Sequence, residues 1–248
     1  DGEVEDYKLT IAEVDYGDAP DTGAGTGAGN YETTDKTGTD NDGAAHVVNS
    51  NLTLGSNIDG DDGSLQNTAA NADDTNTSTS TNDEDGITTA FNTLNIADDT
   101  YTVNINVANN TGGVATLIGW IDFDRNGVFD NDEAVIVPNI ADNSGAVTSI
   151  PLNWDNTDGA GNTDNDIPSD ITSGITYARF RLSTDFNGIT TRDDITNNTD
   201  VFTDIASDGE VEDYRLFIEG GIDYGDAPDD GTNGNYLTTT ANSNTNAA

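Results

Sequence analysis

The acidic segment 122–133 has the residue types and spacing that most clearly indicate chemistry. Oxygen ligands are available at positions 1, 3, 5, 7, 9 and 12 of the segment, and Gly127 falls at position 6. The candidate ligands are Asp122, Asp124, Asn126, the backbone carbonyl of Val128, Asp130 and Glu133. Because Ca²⁺ takes six to eight hard oxygen ligands and alternate loop residues can point at one centre, this spacing predicts a calcium loop.

The apolar residues on both sides of this segment predict the elements that position it. Segments 117–121 and 134–137 read as strands, whereas helices flank the loop of an EF-hand. We therefore expect a calcium loop that joins two strands and braces them. The alternative is an acidic hairpin turn without a metal.

Two other acidic segments are weaker candidates for binding a cation. Asp59 and Asp61 lie in one run of acidic residues and glycines, and Asp83 and Asp85 lie in another. Carboxylates this close together repel one another unless a cation or solvent screens them. A solvated acidic loop is the alternative for both segments, and the Asp-Asn-Asp-Gly run at 40–43 is a weaker candidate still.

The composition restricts the partners and the chemistry of the chain. Its 248 residues include 47 Asp and Glu against 7 Lys and Arg, which gives a formal net charge of -40. A surface this negative repels nucleic acids and anionic lipids, so we expect neither as a partner. The absence of cysteine removes disulfides and thiol chemistry. No apolar stretch is long enough to predict insertion into a membrane.

The net charge needs its own explanation, because self-repulsion opposes a compact state. Disorder, adaptation to high salt and the binding of divalent cations are the three alternatives. Apolar runs at 101–107, 116–123 and 177–182 argue against disorder along the whole chain. Cation binding also explains the spacing of segment 122–133, and Ca²⁺ is therefore the expected cofactor.

Two heptads recur in the same order along the chain. Asp-Gly-Glu-Val-Glu-Asp-Tyr occupies residues 1–7 and 208–214, and Asp-Tyr-Gly-Asp-Ala-Pro-Asp occupies 15–21 and 223–229. The offsets of 207 and 208 residues predict a tandem array with a unit of that length. The alternative is one domain with two related edge strands.

This repetition predicts the organisation of the chain. We expect residues 1–13 to be the C-terminal strand of a preceding unit, or a donor strand. Residues 14–220 are then one repeat unit, and residues 221–248 begin the following one. The chain starts with Asp and without a basic leader region, so we expect it to be a piece of a longer protein.

Alternating apolar and polar residues predict a fold built from strands. The period of two is clear at 101–107 and 177–182, and the runs 4–11 and 211–218 are also strand-like. No segment has the period of a convincing amphipathic helix. Short strands between turn-rich loops predict an all-β fold, an antiparallel β-sandwich that is Ig-like or jelly-roll-like, with long acidic metal-binding loops.

Several motifs in this order resemble the GEVED-domain family of secreted bacterial surface proteins. The motifs are Asp-Tyr-Gly-Asp-Ala-Pro at 15–20, Gly-Ala-Ala-His-Val-Val at 43–48, Leu-Gly at 54–55, Asp-Glu-Asp-Gly at 83–86, Trp-Ile-Asp-Phe-Asp-Arg-Asn-Gly-Val-Phe-Asp at 120–130, Ala-Arg-Phe-Arg-Leu at 178–182 and Gly-Glu-Val-Glu-Asp-Tyr at 209–214. The resemblance implies an extracellular, cell-surface module of an adhesin or structural protein without enzyme activity. The Asn- and Thr-rich loops depart from the family pattern.

Two other functions compete with a structural module. An enzyme is disfavoured because His46 is the only imidazole and no motif marks a nucleophile or a particular carboxylate pair. A calcium-dependent glycan-binding module is the closer rival. Trp154 lies between polar residues and is the candidate for stacking on a sugar, whereas Trp120 is expected in the core. A surface glycan or receptor is the partner that this rival implies.

The boundary between units suggests a second use of a cation. Asp208, Glu210 and Glu212 alternate along the closing strand, and Asp223 and Asp226 open the next unit. A cation between these groups would fix the angle between neighbours in an array. In the alternative, Val211 and Tyr214 pack while the acids face water. Neighbouring units or subunits are the expected partners, and strand complementation through residues 3–11 is a further route to a filament.

Overall fold

In the computed structural model, the regular secondary structure of the described residues is almost entirely β-strand. The described residues are 2–7, 12–22, 27–33, 43–72, 82–157, 164–196 and 201–221. The strands are β1 (Val14–Tyr16), β2 (Ala45–Val47), β3 (Leu52–Leu54), β4 (Leu94–Asn95), β5 (Thr100–Asn109), β6 (Ala115–Ile121), β7 (Ala134–Ile140), β8 (Thr148–Asp155), β9 (Gly174–Ser183), β10 (Ile205–Ala206) and β11 (Glu210–Glu219). A 3-10 turn at Asn131–Glu133 and a short helix, α1 (Arg192–Thr196), are the helical elements of this part of the chain.

Three sheets organise these strands. The largest has the order β4-β11-β9-β6-β7, the second has the order β3-β5-β8, and a small sheet has the order β1-β2-β10. The long pairings are antiparallel, and the two-residue pairings of β11 with β4 and of β10 with β2 are parallel. The longest ladder joins β9 to β11, from Glu210 opposite Leu182 to Ile218 opposite Gly174.

The main hydrophobic core lies between the two larger sheets. It combines residues of the five-stranded sheet, such as Phe180 and Leu182, with residues of the three-stranded sheet, such as Ile105 and Leu152. A Cβ atom on Gly119 would lie 2.5 Å from Leu152 and 2.7 Å from Phe180, so glycine allows the sheets to approach closely here. This packing is consistent with the expected β-sandwich.

A second hydrophobic cluster covers the opposite face of the five-stranded sheet. Trp120 packs there with Tyr31, Phe129 and Phe186, which come from connecting segments. Strand β6 is consequently buried along its whole length. The sequence indicated a half-buried β9, but this strand is buried on both faces because the connecting segments cover its polar side.

Two arginines of β9 show how that polar side is accommodated. Arg179 donates two hydrogen bonds to Asp213, each 2.8 Å long, so the buried charge is paired. Arg181 donates to the backbone oxygens of Val201, Ala45 and Asp204 and to Nε2 of His46. Nδ1 of His46 lies 2.7 Å from Asp208 O, which makes Nδ1 the protonated nitrogen. Burial, followed by the charge of Arg181, lowers the pKa of His46 well below its usual value.

The described residues confirm the expected strands at 101–107, 177–182 and 211–218 and the β-rich fold class. Residues 2–7 lie in no strand, and residues 8–11 are outside the described part of the chain. The unit boundaries at 13/14 and 220/221 stay predictions. None of the helices in the described residues has the length and apolar character needed to cross a membrane.

Candidate metal centre

The calcium loop predicted at 122–133 connects β6 to β7. These strands pair antiparallel, with Trp120 opposite Ala134, so the first and last loop residues are brought close together. Asp122 directly follows β6, and Glu133 ends the 3-10 turn just before β7. The hairpin therefore places position 1 and position 12 of the loop side by side.

Three carboxylates of the loop converge. One oxygen each from Asp122, Asp124 and Glu133 lies within 4.8 Å of the others. Calcium binds oxygen at about 2.3–2.6 Å, so ligands of one ion can be up to about 5 Å apart. Asp122 and Glu133 are buried, and Asp124 is half-buried at the surface. These three residues could hold a metal ion.

The other predicted ligands lie in the same loop but outside this triad. Asn126 Nδ2 donates to Asp124 Oδ2 at 3.0 Å and to Asp130 Oδ2 at 2.9 Å, which links Asp130 to the triad. Val128 donates its N–H to Asn126 Oδ1 at 2.6 Å. The roles of Asn126, Val128 and Asp130 as ligands stay predictions.

Hydrogen bonds within the loop orient the two buried carboxylates. Asp122 accepts from the N–H groups of Asn126 at 3.1 Å and Gly127 at 3.0 Å. Glu133 accepts from Phe123 N at 2.6 Å and Asp130 N at 2.9 Å. Backbone N–H groups of the loop thus fix the orientation of each carboxylate.

Residues far away in sequence hold the loop in place. The Tyr31 hydroxyl donates to Asp122 Oδ2 at 2.7 Å, and Trp154 Nε1 donates to the Glu133 carbonyl at 2.8 Å. Thr176 donates its hydroxyl to the Asp122 carbonyl. Local spacing carries no signal for these contacts, and sequence reasoning therefore missed Tyr31 and Thr176.

Gly127 is required at position 6 for two reasons. Its φ of +82° is in the region that favours glycine. A Cβ atom would also lie 1.8 Å from the backbone oxygen of Gly27. The sharp turn and the close approach of a second segment both depend on this glycine.

The electrostatics of the triad favour either a bound proton or a bound cation. Burial, followed by the charge of Asp122, raises the pKa of Glu133 to about 10. Burial also raises the pKa of Asp122 to about 6, although hydrogen bonds from Tyr31 and Gly127 oppose the shift. A divalent cation would reverse this preference by stabilising both ionised carboxylates.

The metal-free protein is expected to become less stable as pH rises from about 5 to about 8. Glu133 has a raised pKa in the folded state, so its stabilising contribution is complete below the ordinary value of 4.5 and is lost as pH rises toward about 10. Each such proton contributes a slope of up to about 1.4 kcal/mol per pH unit. Urea unfolding in EDTA at several pH values measures how the free energy of unfolding changes with pH. Glu133→Gln should flatten the slope, and an equal slope in the variant would contradict the assignment.

The exposure predicted for Trp154 is wrong. The polar residues on both sides of it suggested a surface position, but Trp154 is 0% exposed. It lies on β8 opposite Tyr101 and packs edge-on against Phe123 in the core. Alternation explains the error, because the neighbours Asn153 and Asp155 point to the other face of the strand. Trp154 therefore holds the end of the loop at 122–133 through the Glu133 carbonyl, and its ring is not accessible to a sugar.

The weaker acidic candidates lie along the segments that contact the start of β11. Asp59 N donates to Asp83 Oδ2 at 3.3 Å, which joins the two acidic segments. Asp61 accepts from Tyr16 N at 3.2 Å, and Asp85 accepts from Ser56 N at 2.7 Å. Asp83 is buried, so it is not part of a freely solvated loop.

The cation site at the boundary between units stays a prediction. Glu210 and Glu212 are each 1% exposed, so the alternative in which the acids face water is wrong for these two residues. Asp208 accepts from Ser183 and Thr184 within the same domain. Asp223 and Asp226 are outside the described residues.

Comparison with known families gives a match to the part of the chain that contains this loop. Residues 116–217 match the GEVED domain. The match supports the GEVED resemblance and runs from β6 to β11, so it includes the loop at 122–133, the two buried arginines of β9 and the heptad at 208–214. It covers less than half of the chain. No curated protein matches the chain.

Proposed function

We propose that the chain is a non-enzymatic, calcium-stabilised structural module that repeats along a bacterial extracellular fibre or adhesin. The GEVED match and the acidic triad support this proposal. The observation that carries it is the position of Asp15 and Glu219, which are close to the two expected ends of the unit. They lie at opposite ends of one long strand.

The contacts of β1 and β11 define these positions. Val211 N donates to Asp15 Oδ2 at 2.9 Å, so β1 lies beside the start of β11. Strand β11 has 10 residues, from Glu210 to Glu219. At about 3.3 Å per residue, Glu219 lies roughly 26 Å from Val211, the residue that Asp15 contacts. Units joined in series by short connections would therefore extend in one direction.

Calcium is the metal that suits the triad. Asp122, Asp124 and Glu133 offer carboxylate oxygens alone, and such hard ligands favour Ca²⁺ or Mg²⁺ over metals that prefer nitrogen or sulfur. Calcium also tolerates irregular coordination better than Mg²⁺ does. An ion here would hold together the β6–β7 hairpin, the segment of Tyr31 and, through Trp154, strand β8.

The repeated heptad supports contact between copies. Val4 is 88% exposed in the first heptad, whereas its equivalent Val211 is 2% exposed in β11. A heptad that forms the start of β11 is thus present twice, once buried and once exposed. Residues 2–7 would be the last strand of a preceding unit in a covalent array, or a donor strand for another subunit in a filament. Both arrangements make a fibre.

No specific observation favours the glycan-binding alternative. The burial of Trp154 removes the residue on which that role depended. His46 is fully buried in a network with Arg181, a position that suits a structural role better than a catalytic one. The proposed module therefore acts through its shape and stability.

Small-angle X-ray scattering on two copies of residues 14–220 in tandem tests the proposal. With calcium, we expect an extended particle about twice as long as one copy, because the ends of each unit are far apart. Excess EDTA should broaden the distribution of distances as the units lose their calcium. A compact particle in calcium, or identical curves in both conditions, would contradict a calcium-stiffened array.

The full chain, which contains both heptads, distinguishes a covalent array from a filament formed by strand exchange. Size-exclusion chromatography over a range of concentrations would give open-ended oligomers if strands are exchanged and a monomer if units are joined only covalently. Val4→Asp should abolish such oligomers, because the exposed Val4 would have to enter the core of another subunit. Val147→Asp, a change at another exposed valine, is the matched control.

A further inference from the structure

We propose that Glu210 and Glu212 of β11, together with Asp83 and Asp15, form a second site for a divalent cation inside the domain. This site is separate from the loop at 122–133 and does not depend on the proposed fibre. Its ligands are carboxylates from three parts of the chain. The expected ion is Ca²⁺, because the donors are hard oxygens in an irregular arrangement.

The first observation is the burial of four acidic side chains around the start of β11. Glu210 and Glu212 are each 1% exposed, and Asp15 and Asp83 are each 4% exposed. Acidic residues are almost never buried this fully unless they are paired or bind a metal. The four residues belong to β1, the segment at 82–86 and β11, so the fold itself assembles them.

The register of β11 places the two glutamates on the same face. Glu210 lies opposite Leu182 and Glu212 opposite Phe180, and both partners belong to the main core. Side chains directly opposite on paired strands share a face of the sheet. The two glutamates therefore point toward the interior between the sheets, where water cannot screen them.

The second and independent observation is an oxygen atom without a partner. Glu210 Oε2 accepts from Leu54 N at 2.6 Å, but Glu210 Oε1 is buried and has no hydrogen-bond donor within the described part of the chain. A buried carboxylate oxygen of this kind is costly unless another group satisfies it. Arg179, a buried cation of the same sheet, is already paired with Asp213.

The interactions among the four groups agree with a missing positive charge. Burial, followed by the charges of Glu212 and Asp15, raises the pKa of Glu210 well above its usual value, and Asp83 adds to the effect. Burial also raises the pKa of Glu212, and Asp85 and Asp83 contribute in the same direction. The acids thus repel one another, and a shared divalent cation would convert this repulsion into attraction.

The segment at 82–86 is fixed tightly enough to contribute a ligand. Gly86 N donates to Glu212 Oε1 at 2.8 Å, and a Cβ atom on Gly86 would lie 2.2 Å from Glu212 Oε2. Ile87 N donates to the Tyr214 hydroxyl at 3.1 Å. Among the described residues, only the loop triad has three acidic oxygens within 4.8 Å of one another, so the carboxylates of the second site must draw closer when an ion binds.

Calcium titration of the full chain by isothermal calorimetry tests the second site. Glu210→Gln should lose one bound ion relative to the wild-type protein, and Asp124→Ala should lose a different one, so the double variant should lose two. Glu219→Gln changes an exposed residue at the other end of β11 and should bind as the wild-type does. An unchanged stoichiometry in Glu210→Gln would overturn the proposal.

The stability of Glu210→Gln relative to the wild-type is a second test, because we expect the difference to change sign between EDTA and calcium. In EDTA, the variant should be at least as stable as the wild-type, because it removes one of the mutually repelling buried acids. In saturating calcium, it should melt at a lower temperature than the wild-type, because it has lost a ligand. If Glu210 is simply protonated and binds no ion, the difference between the two proteins will be the same in both conditions. The response of Asp124→Ala tests the loop separately.

Discussion

Excess EDTA is expected to lower the melting temperature of the calcium-loaded protein substantially. At free calcium about 100 times the dissociation constant, one site stabilises the folded state by about 2.7 kcal/mol. For a domain of this size, that corresponds to a shift of roughly 5–10 °C. The buried pair Asp122 and Glu133 should account for the part of the shift that comes from the loop, because each carboxylate is costly to keep ionised without a cation. Thermal unfolding followed by circular dichroism in calcium and in EDTA measures it.

Asp124→Ala is the variant that assigns this effect to the loop. Asp124 is half-buried at the edge of the triad, so its removal should weaken metal binding without opening the core. The EDTA-induced shift should fall by the share that the loop contributes. Asp132→Ala is the matched control, because Asp132 is exposed in the same loop but lies outside the ligand pattern. Equal shifts in Asp124→Ala and the wild-type would contradict calcium binding by this loop.

Asp213→Ala is expected to be the most destabilising single change described here, at about 3–5 kcal/mol. Arg179 and Asp213 are 1% and 0% exposed and share two hydrogen bonds of 2.8 Å. Removing the carboxylate leaves a buried guanidinium without its counter-charge. It also removes the acceptor of the Ala19 N–H, which lies 3.0 Å from Asp213 Oδ2. The free energy of unfolding in urea measures the loss.

The repeated heptad supplies a control for this change within the same chain. Asp6 occupies the position in residues 1–7 that Asp213 occupies in residues 208–214, and Asp6 is exposed. Asp6→Ala should therefore change the free energy of unfolding by less than about 0.5 kcal/mol. A large effect of Asp6→Ala would show that the first heptad, and not the second, occupies the position of β11 in the sheet.

The acidic triad was predictable because its three residues are close in sequence. The alternating oxygens and Gly127 lie within twelve consecutive residues, and the apolar flanks indicate the hairpin. Tyr31 and Thr176 reach Asp122 from segments about 91 and 54 residues away. Which distant residues meet the loop depends on the packing of the two sheets, which local spacing does not specify.

The buried charges of β9 and β11 were misjudged for a related reason. Alternation shows that Arg179 and Arg181 share one face of a strand, but it does not show whether that face meets water or another layer. Asp213 is 34 residues from Arg179 in sequence, and the ladder between β9 and β11 places them together. Glu210 and Glu212 were likewise placed at a surface junction because polar residues are usually exposed.

The continuous ladder between β9 and β11 has a mechanical consequence. Hydrogen bonds of an antiparallel pair are perpendicular to the strands. In a series of linked units, tension would enter near Asp15 and leave beyond Glu219, and it would therefore act along β11. The bonds from Glu210 to Ile218 would then be loaded together in shear, and they could not be peeled apart one after another. The same strand that completes the core would be the element that carries load through the module.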